Sequence, residues 1–463
     1  MSTSPQPSAP SARSTAELPR GARRIGIVGA GQLARMMLGP AIELGLTTPV
    51  LATDAGESAA AVAGQMRLGR HDDEHAVAAL ARDVEVITFD HEHVPAEILE
   101  AVRVEGLAAV RPGPAALAHA QDKLVMRERL RELGHPCPRW WRAGSREDLA
   151  AALAETAGRL VVKTPRGGYD AHGVRIIDGP DQADDWLSEH GQLLAEELVP
   201  FTRELSAQVA RRPGGEAVAY PVVQSVQKDG VCYEVVAPAP GLDADAQQRI
   251  QALALAIAED LDVVGMLAVE LFETADGAVS VNELAMRPHN TGHWSMDGAV
   301  TGQFEQHLRA VADFPLGSTA PRCPVAVMVN LLGGAAEDLG PGAHAAQAAD
   351  PELKVHLYGK SVRPGRKIGH VTLVGEDATD LLDRAHRAER LIIDGPCVAD
   401  AAGPHAADPD TAGPATAGPE TAAAPPPPVG PRPAGPTGGP PCPRPRPGPP
   451  WGTSWGPPPT TRS

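Results

Sequence analysis

The sequence predicts a protein of mixed α/β and α+β architecture. At 463 residues the chain is long enough for two or three domains, each with its own core. A buried strand, a glycine turn and a helix follow one another at residues 23–38, which indicates an α/β domain. Two strand-like runs flank Asp276-Gly277, the strongest short signal for a β-hairpin. The hairpin predicts a later domain built around an antiparallel sheet.

The composition of the chain argues against several classes of protein. The net charge is −17, from 41 basic and 58 acidic residues, which argues against general nucleic-acid binding. Five scattered cysteines contain no CxxC pair, so neither a disulfide framework nor a zinc site is indicated. No apolar run approaches the roughly 20 residues of a membrane span, and the N-terminus has no signal-peptide core. We therefore expect a cytoplasmic protein that does not enter a membrane.

Changes in pattern divide the chain. Residues 1–22 are rich in Ser, Pro and Ala and are predicted to be disordered, as is the Pro/Ala/Gly-rich tail at residues 397–463. The predicted domains between them are a Rossmann-like domain at 23–120, a central domain at 121–198 and a C-terminal domain at 199–396. The sequence gives no functional account of the tail.

The first domain carries a glycine turn after its first strand. Residues 29–34 match the GxGxxA form of the dinucleotide fingerprint, in which backbone amides approach a phosphate at a helix N-terminus. Asp54 is available for an NAD ribose, but the remaining chemistry of the chain lies far downstream and is of magnesium-phosphate type. We therefore expect a phosphate-bearing substrate on this turn. Asp90 and Glu92 follow the strand predicted at 84–89 and could bond ribose hydroxyls, because ligands of open α/β sheets gather at the carboxyl ends of strands.

The second domain begins with a helix predicted at residues 121–133, closed by Gly134 and Pro136. A strand at 159–165 carries Lys163 and leads into a glycine-rich loop at 167–173. A flexible loop over nucleotide phosphates, with a lysine beside it, has this arrangement. The loop lacks the GK[ST] ending of a Walker A motif. An ordinary hairpin connection is the alternative.

The hairpin predicts a metal site. If Asp276-Gly277 is a two-residue loop, Glu270 lies opposite Glu283, on the same face as Phe272 and Val281. Cross-strand Cβ atoms are only about 5 Å apart, and like charges there repel. A cation should separate them, and with oxygen ligands and Asn282 adjacent we expect Mg²⁺ carrying nucleotide phosphates. An exposed acidic hairpin is the alternative.

A basic segment follows at residues 354–370, with five Lys or Arg residues and no acid. Its Arg363-Pro-Gly-Arg366 turn presents two guanidinium groups, which suits bidentate capture of a phosphate monoester. A solvated basic face is the alternative. Trp294, Tyr220 and Met328 are expected in the core.

Taken together, these residues resemble the ATP-grasp enzymes, and within them the 5-(carboxyamino)imidazole ribonucleotide synthases of purine biosynthesis. The most specific motifs lie at residues 31–33, 121–123, 167–170, 282–294, 303–310 and 358–370. The resemblance implies a pre-ATP-grasp domain, a central lid domain and a C-terminal domain that clasp ATP between two sheets. The implied activity is carboxylation of 5-aminoimidazole ribonucleotide with ATP and bicarbonate, by a homodimer.

Carried over by position, the resemblance assigns roles to single residues. The implied ATP contacts are Lys123, Lys163, Gly168, Tyr169, Asp170, Ala171, His172, Gly173, Val174, Glu196, Glu197, Leu198, Val199, Glu204, Gln227, Asn282 and Glu283. The implied Mg²⁺ ligands are Glu270 and Glu283. The implied catalytic residues, around bicarbonate and carboxyphosphate, are Arg287, His289, Asn290 and Asp170. The implied ribonucleotide contacts are Gln32, Tyr169, Lys360, Arg363 and Arg366.

Two departures from the family pattern matter. Gln227 stands where relatives often have histidine, and Ala171-His172 replaces a glycine-basic pair, which removes a flexible residue from the cover loop. Two other functions stay open. One is an ATP-grasp carboxylate-amine ligase that uses formate on a different ribonucleotide. The other is a catalytically silent nucleotide-binding regulator.

Overall fold

The computed structural model describes residues 21–167 and 173–395, and within these ranges the strands form three sheets. Several predicted positions lie outside the described residues, namely Gly168, Tyr169, Asp170, Ala171 and His172 of the cover loop, residues 1–20 and residues 396–463. The predicted domain boundaries stay predictions. Across the described ranges, none of the helices is both long and apolar enough to cross a membrane.

The first sheet is parallel, with strand order β3-β2-β1-β4-β5. Its strands are β1 (Ile25–Val28), β2 (Val50–Ala52), β3 (Met66–Leu68), β4 (Val86–Phe89) and β5 (Ala109–Val110). The helices of this part are α1 (Gln32–Glu43), α2 (Glu74–Ala81), α3 (Ala96–Val104) and α4 (Pro114–Gln121). Because the strand order reverses between β1 and β4, a crevice lies beyond their carboxyl ends, where open α/β sheets bind ligands.

The second sheet is antiparallel, with strand order β6-β9-β7-β8. Its strands are β6 (Trp140–Ala143), β7 (Leu160–Lys163), β8 (Val174–Ile177) and β9 (Leu193–Glu197). The helices here are α5 (Lys123–Leu133), α6 (Arg146–Ala154) and α7 (Asp184–His190).

The helix predicted from residue 121 begins at Lys123 instead. Asp122 has extended backbone and its carboxylate accepts the amide N–H groups of Leu124 and Val125 at 3.0 and 3.2 Å, so it is an N-cap that separates α4 from α5. Gly134 ends α5 in the left-handed conformation, as predicted.

The third sheet is antiparallel and is the largest in the described part of the chain. Its order is β15-β14-β10-β12-β13-β16-β18-β17, with β11 paired to β10. Its strands are β10 (Phe201–Arg211), β11 (Ala217–Ala219), β12 (Val223–Lys228), β13 (Val231–Ala237), β14 (Gly265–Thr274), β15 (Val279–Ala285), β16 (Val325–Leu332), β17 (Lys354–Leu357) and β18 (Lys367–Gly375). Its helices are α8 (Ala244–Asp260), α9 (Ser295–Gly298), α10 (Gln303–Ala312), α11 (Gly340–Ala349) and α12 (Ala378–Asp394). Trp294, Tyr220 and Met328 are in its core, as predicted.

The β14–β15 hairpin places Glu270 opposite Glu283, as predicted, but by a different route. The loop is longer than two residues: Gly277 donates its N–H to the Thr274 carbonyl and has a φ of 78°, which moves the register by one. A bulge at Asn282 moves it back. Val281 is therefore paired with Leu271 and fully buried in the core, so the prediction that it shares the face of Phe272 is wrong.

Candidate active site

A cavity of about 290 Å³ lies between the second and third sheets. Most of the predicted ATP contacts and both predicted metal ligands line it: Lys123, Lys163, Val174, Glu196, Glu197, Leu198, Val199, Glu204, Gln227, Glu270, Asn282 and Glu283. Gly173 does not line it; its carbonyl accepts the Thr164 N–H at 2.9 Å. We call this space the nucleotide cavity.

The bulge in β15 determines which side chains reach the nucleotide cavity. Successive residues of a regular strand point to opposite faces, so Asn282 and Glu283 could not both face the cavity in an unbroken ladder. Because the bulge inserts Asn282 into β15, both residues line the cavity. The bulge thus places the amide of Asn282 next to the carboxylate of Glu283.

A buried charge network joins the two walls of the nucleotide cavity. Glu196 forms ion pairs with Arg127 and with Lys163, whose Nζ lies 2.7 Å from the carboxylate. Lys163 also donates to Asn282 Oδ1 at 2.9 Å, and Arg127 donates to the Asn282 carbonyl at 2.7 Å. Burial alone would raise the pKa of Glu196, but the charges of Arg127 and Lys163 outweigh it and lower that pKa to about 2. Glu196 is therefore ionised and fully paired.

Apolar groups and a polar pair complete this cavity. The rings of Phe201 and Phe272 stack with centroids 4.6 Å apart and line it. Glu204 lies beside Gln227, which hydrogen-bonds its carboxylate, and burial raises the Glu204 pKa. Gln227, which stands where relatives often have histidine, is therefore a neutral hydrogen-bond partner of Glu204.

A second cavity, of about 790 Å³, opens on the first sheet's crevice, and we call it the substrate cavity. The predicted residues Gln32, Arg287, His289 and Asn290 line it. Glu92 holds Arg287 in place, since its carboxylate accepts from Arg287 Nε at 3.0 Å and from the Met286 N–H at 2.7 Å. Glu92 thus positions Arg287 and also lines the substrate cavity, and its predicted ribose contact stays a prediction.

The two cavities meet at three side chains, Lys123, Glu270 and Glu283, which line both. Lys123 Nζ lies 3.2 Å from Glu283. Burial, and then the charges of Glu283 and Glu204, raise the pKa of Glu270 to about 8. His289 Nδ1 lies 3.5 Å from Glu270, but burial and the nearby Arg287 and Lys367 lower its pKa well below the usual value, so His289 is neutral and does not offset that charge.

Two amides of the glycine turn after β1 are hydrogen-bonded to the protein itself. Asp90 Oδ2 accepts the Gly31 N–H at 2.8 Å and Asp90 Oδ1 accepts the Ala34 N–H at 2.7 Å. A Cβ added at Gly31 would lie 2.3 Å from Asp90 Oδ2, so only glycine allows this approach. Asp90 thus occupies the amides of Gly31 and Ala34, while Gln32 and Leu33 of the same turn line the substrate cavity. A phosphate elsewhere on this turn and the ribose contact of Asp90, which also lines the cavity, stay predictions.

The basic segment approaches the substrate cavity at one point. Lys360 donates to Gln32 Oε1, and Gln32 lines the cavity. The Arg363-Arg366 turn forms as predicted: the Arg366 N–H donates to the Arg363 carbonyl at 3.0 Å, with Gly365 at a φ of 72°. Arg363 and Arg366 are not among the residues that line the cavity, and their phosphate contact stays a prediction.

Comparisons with known proteins agree with this geometry. Three family models match in order: a ribonucleotide synthetase preATP-grasp domain at residues 22–121, an ATP-grasp domain at 128–304 and a phosphoribosylaminoimidazole carboxylase C-terminal domain at 326–384. N5-carboxyaminoimidazole ribonucleotide synthase of Mycobacterium tuberculosis is 48% identical over 388 residues, covering 82% of this chain and 90% of the relative. The chain belongs to the N5-carboxyaminoimidazole ribonucleotide synthase family.

Solved structures of this family have the same fold. The synthetase from Thermus thermophilus matches with a TM-score of 0.71 and 35% identity, over 80% of this chain and 98% of that one. The Aspergillus clavatus enzyme in complex with ADP and 5-aminoimidazole ribonucleotide matches with a TM-score of 0.72 and 29% identity, over 82% and 100%. The predicted ATP-grasp fold, with its preATP-grasp and C-terminal domains, is confirmed, and the chain is an ATP-dependent ligase.

Sequence reasoning missed several residues of this family site. Arg127 is fully buried in α5 and pairs with Glu196, yet in the sequence it is one arginine among several in a polar helix. Phe201 was also missed: it lies three residues before Glu204, a spacing that regular alternation places on the opposite face, and β10 is irregular between Phe201 and Arg203. Phe272 was placed correctly by the sequence, on the face of Glu270. Lys367 was counted in the basic segment, and the structure places it on the substrate cavity.

The carboxylate oxygens at the place where the two cavities meet, which we call the junction, fit a magnesium ion. Mg²⁺ prefers oxygen ligands and is usually held by one or two carboxylates together with water and substrate phosphates. Glu270 and Glu283 supply two carboxylates: Lys123 pairs with Glu283, while burial and the charge of Glu283 raise the pKa of Glu270, which favours a further cation beside it. Among residues 21–167 and 173–395, no cluster of three or more His, Cys, Asp or Glu side chains could hold a metal alone, so the ion would depend on nucleotide phosphates.

Proposed function

We propose that this protein carboxylates 5-aminoimidazole ribonucleotide, using ATP and bicarbonate and releasing ADP and phosphate, in purine biosynthesis. The observation that carries this proposal is the meeting of the two cavities at Lys123, Glu270 and Glu283. A triphosphate bound in the nucleotide cavity would end where the substrate cavity begins. Its terminal phosphoryl group would then face an acceptor held by Arg287.

The residues of the substrate cavity have roles that follow from their charges. A bicarbonate oxygen attacks the γ-phosphorus, ADP leaves, and carboxyphosphate forms. Arg287, fixed by Glu92, holds this anion away from bulk water together with His289 and Asn290. The substrate amine takes the carboxyl group and phosphate is released. The amine proton goes to Asp170 or to that phosphate, as in the sequence-based prediction.

Glu270 and Glu283 would hold Mg²⁺, which neutralises negative charge on the nucleotide phosphates when bound. Lys123 and Lys163 contribute positive charge on the same side. The strand at Glu196, Glu197, Leu198 and Val199 would form the adenine-binding wall, with the carboxylate of Glu196 held by Arg127 and Lys163, and Glu204 would hold the ribose; all five residues line the nucleotide cavity, which supports this assignment. Binding of the nucleotide and metal would therefore complete the charge balance of the junction.

The ribonucleotide would lie in the substrate cavity, with its phosphate toward the basic segment. The Lys360–Gln32 contact supports this orientation, because it ties the segment to the cavity wall. Arg363, Arg366 and Tyr169 would complete the site. We further propose a cytoplasmic homodimer, as the family resemblance implies.

An ADP-release assay with 5-aminoimidazole ribonucleotide tests the proposal. We expect turnover that depends on both the ribonucleotide and bicarbonate. Phosphate release that depends on formate instead of bicarbonate would indicate a different ATP-grasp ligase. Binding of ATP and Mg²⁺ without turnover on any aminoimidazole substrate would indicate a silent regulator. Either result would overturn the proposal.

A further inference from the structure

His293 forms part of the substrate-cavity wall but has no role in the mechanism above. It lies between the short helical turn at Asn290–Gly292 and α9, and it is fully buried. It is also among the residues that line the substrate cavity. Its ring is therefore held by the protein on most sides while one edge borders the place where the reaction would occur.

The hydrogen bonds of Gln303 determine which nitrogen of His293 carries a proton. Gln303 Oε1 accepts the backbone N–H of His289 at 2.9 Å, so the other end of this amide must be the NH₂ group. That NH₂ group donates to the His289 carbonyl at 2.8 Å and to His293 Nδ1 at 2.7 Å. Because Nδ1 accepts, the proton of the neutral ring is on Nε2.

The Nε2–H of His293 has no hydrogen-bond partner within the described residues, although the atom is buried. A buried donor without an acceptor is unfavourable, and such groups in native proteins usually mark a ligand or an ordered solvent site. His307 shows the ordinary case. It is equally buried, but its Nε2 pairs with Thr88 Oγ1 at 2.8 Å and its Nδ1 accepts the Met266 N–H at 3.1 Å.

The neighbouring His370 does not supply the missing acceptor. The two rings stack with centroids 4.9 Å apart and planes 26° apart, a geometry in which the N–H of one ring points away from the nitrogens of the other. His370 also has an unpartnered Nε2, but it is not among the residues that line the substrate cavity. Of these two histidines, only His293 is among the residues that line the substrate cavity.

The charges around the cavity indicate the kind of acceptor. Carboxylates also line this cavity, but the cavity charges that act on the His293 ring are those of Lys367 and Arg287, so an anion is favoured beside this ring. The carboxylates of Asp90 and Glu92 on this wall already accept from backbone amides and from Arg287. Burial lowers the pKa of His293 to about 3, so the ring stays neutral and keeps its Nε2 proton at working pH. A neutral donor of this kind suits a developing oxyanion.

We propose that His293 is a further substrate-binding residue, whose Nε2–H donates to an oxygen of bicarbonate and of the carboxyphosphate made from it. This inference rests on the proposed function and adds a residue to it. The donor would orient the carboxyl group while Arg287, on the same cavity wall, neutralises its charge.

Two substitutions at this position separate the two nitrogens. His293→Asn keeps a polar group near Nδ1 for Gln303 but removes the donor at Nε2, whereas His293→Gln places an amide N–H near Nε2. We expect His293→Asn to raise the KM for bicarbonate about 10- to 100-fold, the range for a lost hydrogen bond to a charged ligand. The KM for ATP should change less than about two-fold, and His293→Gln should recover most of the affinity.

His307→Asn is the matched control. It alters a histidine that is equally buried and has both nitrogens paired, so it should lower the Tm without selectively raising the KM for bicarbonate. In wild-type protein labelled with ¹⁵N-histidine and saturated with ADP, added bicarbonate should shift the His293 Nε2 resonance and leave that of His307 in place. This measurement needs no variant to fold.

The results that would contradict these expectations distinguish the role of His293 from the proposed function. An unchanged KM for bicarbonate in a folded His293→Asn variant, or no Nε2 shift, would mean that solvent is the acceptor and would overturn this inference alone. Equal increases in the KM values for ATP and bicarbonate would indicate a merely structural role and would overturn it too. A wild-type enzyme whose ADP release ignores bicarbonate would overturn the proposed function together with this inference.

Discussion

Glu196 and Glu270 lie on opposite walls of the nucleotide cavity and have opposite electrostatic surroundings. Glu196, on β9, is paired with Arg127 and Lys163, which lower its pKa to about 2. Glu270, on β14, faces Glu283, and burial together with that charge raises its pKa to about 8. The same residue type is therefore balanced by the protein at one wall and left unbalanced at the other.

The difference separates a structural role from a binding role. The ion pairs of Glu196 and Lys163, with the bonds to Asn282, connect α5, β7, β9 and β15, and so hold the two sheets of the cavity together. The carboxylates of Glu270 and Glu283 repel each other across the hairpin, and Lys123, whose Nζ lies 3.2 Å from Glu283, offsets only part of that charge. Their energetic cost is removed when a cation binds, which couples metal and nucleotide binding to the stability of the hairpin.

The largest expected effect is on turnover and comes from the carboxylate pair Glu270 and Glu283. Glu283→Gln should reduce turnover at least about a hundred-fold, because it removes a metal ligand beside the transferred phosphoryl group. The ADP-release assay with 5-aminoimidazole ribonucleotide and bicarbonate measures it.

Glu273→Gln is the control on the same hairpin, since Glu273 is a buried carboxylate that pairs with Arg203 and does not line either cavity. It should leave turnover within a few-fold. Full activity in the Glu283→Gln variant would contradict the metal assignment.

The ion pairs of Glu196 predict an effect on the stability of the fold. Arg127→Leu leaves Glu196 buried with half of its partners and frees the Asn282 carbonyl, so it should lower the free energy of unfolding by about 3 kcal/mol or more. Chemical denaturation measures it. Adding Glu196→Gln to this variant should restore part of the loss, because the unpaired charge is then removed.

Arg103→Ala is the comparison on the surface. Arg103 pairs with Glu100 one helical turn away, and both side chains are about half exposed, so its loss should change stability little. If Arg127→Leu were no more damaging than Arg103→Ala, the Glu196 network would not hold the sheets together.

The hairpin shows how far local patterns can predict this site. Asp276-Gly277 correctly predicted a turn, and the count from it correctly placed Glu270 opposite Glu283. The count succeeded because the longer loop and the Asn282 bulge shift the register in opposite directions. Neither deviation is visible in the pattern of apolar residues, and the one at Asn282 is what brings that side chain into the cavity.

The glycine turn after β1 shows where local patterns fail. The GxGxxA spacing correctly predicted a strand, a turn and a helix. The spacing did not predict that Asp90, which lies more than fifty residues further along the chain, accepts hydrogen bonds from the amides of Gly31 and Ala34 across the sheet. A motif constrains the backbone, but the side chains that approach it from other elements determine what it binds. Arg127 and His293 were not identified from the sequence for the same reason, because their partners lie on other elements of the fold.

The smallest expected effect is on the pH dependence of stability, and it tests the surroundings of Glu270 without measuring catalysis. In metal-free protein the folded state keeps a proton on Glu270 up to about pH 8, while the unfolded chain loses it near its ordinary pKa of 4.5. The folded state therefore binds more protons between these values, so this residue makes stability fall as pH rises from 5 to 8. Glu270→Gln has no such proton, and its stability relative to wild type should rise over this range by at least about 1.4 kcal/mol, the value of one pKa unit.

Thermal unfolding of both proteins in EDTA, at pH 5 and pH 8, measures this difference. Added Mg²⁺ and ADP at pH 8 should then stabilise wild type more than Glu270→Gln, because the ion replaces the proton as the partner of the carboxylate pair. Parallel pH curves for the two proteins would mean that Glu270 is already balanced by groups of the protein. In that case the hairpin would have no electrostatic reason to bind a cation, and the contrast with Glu196 would disappear.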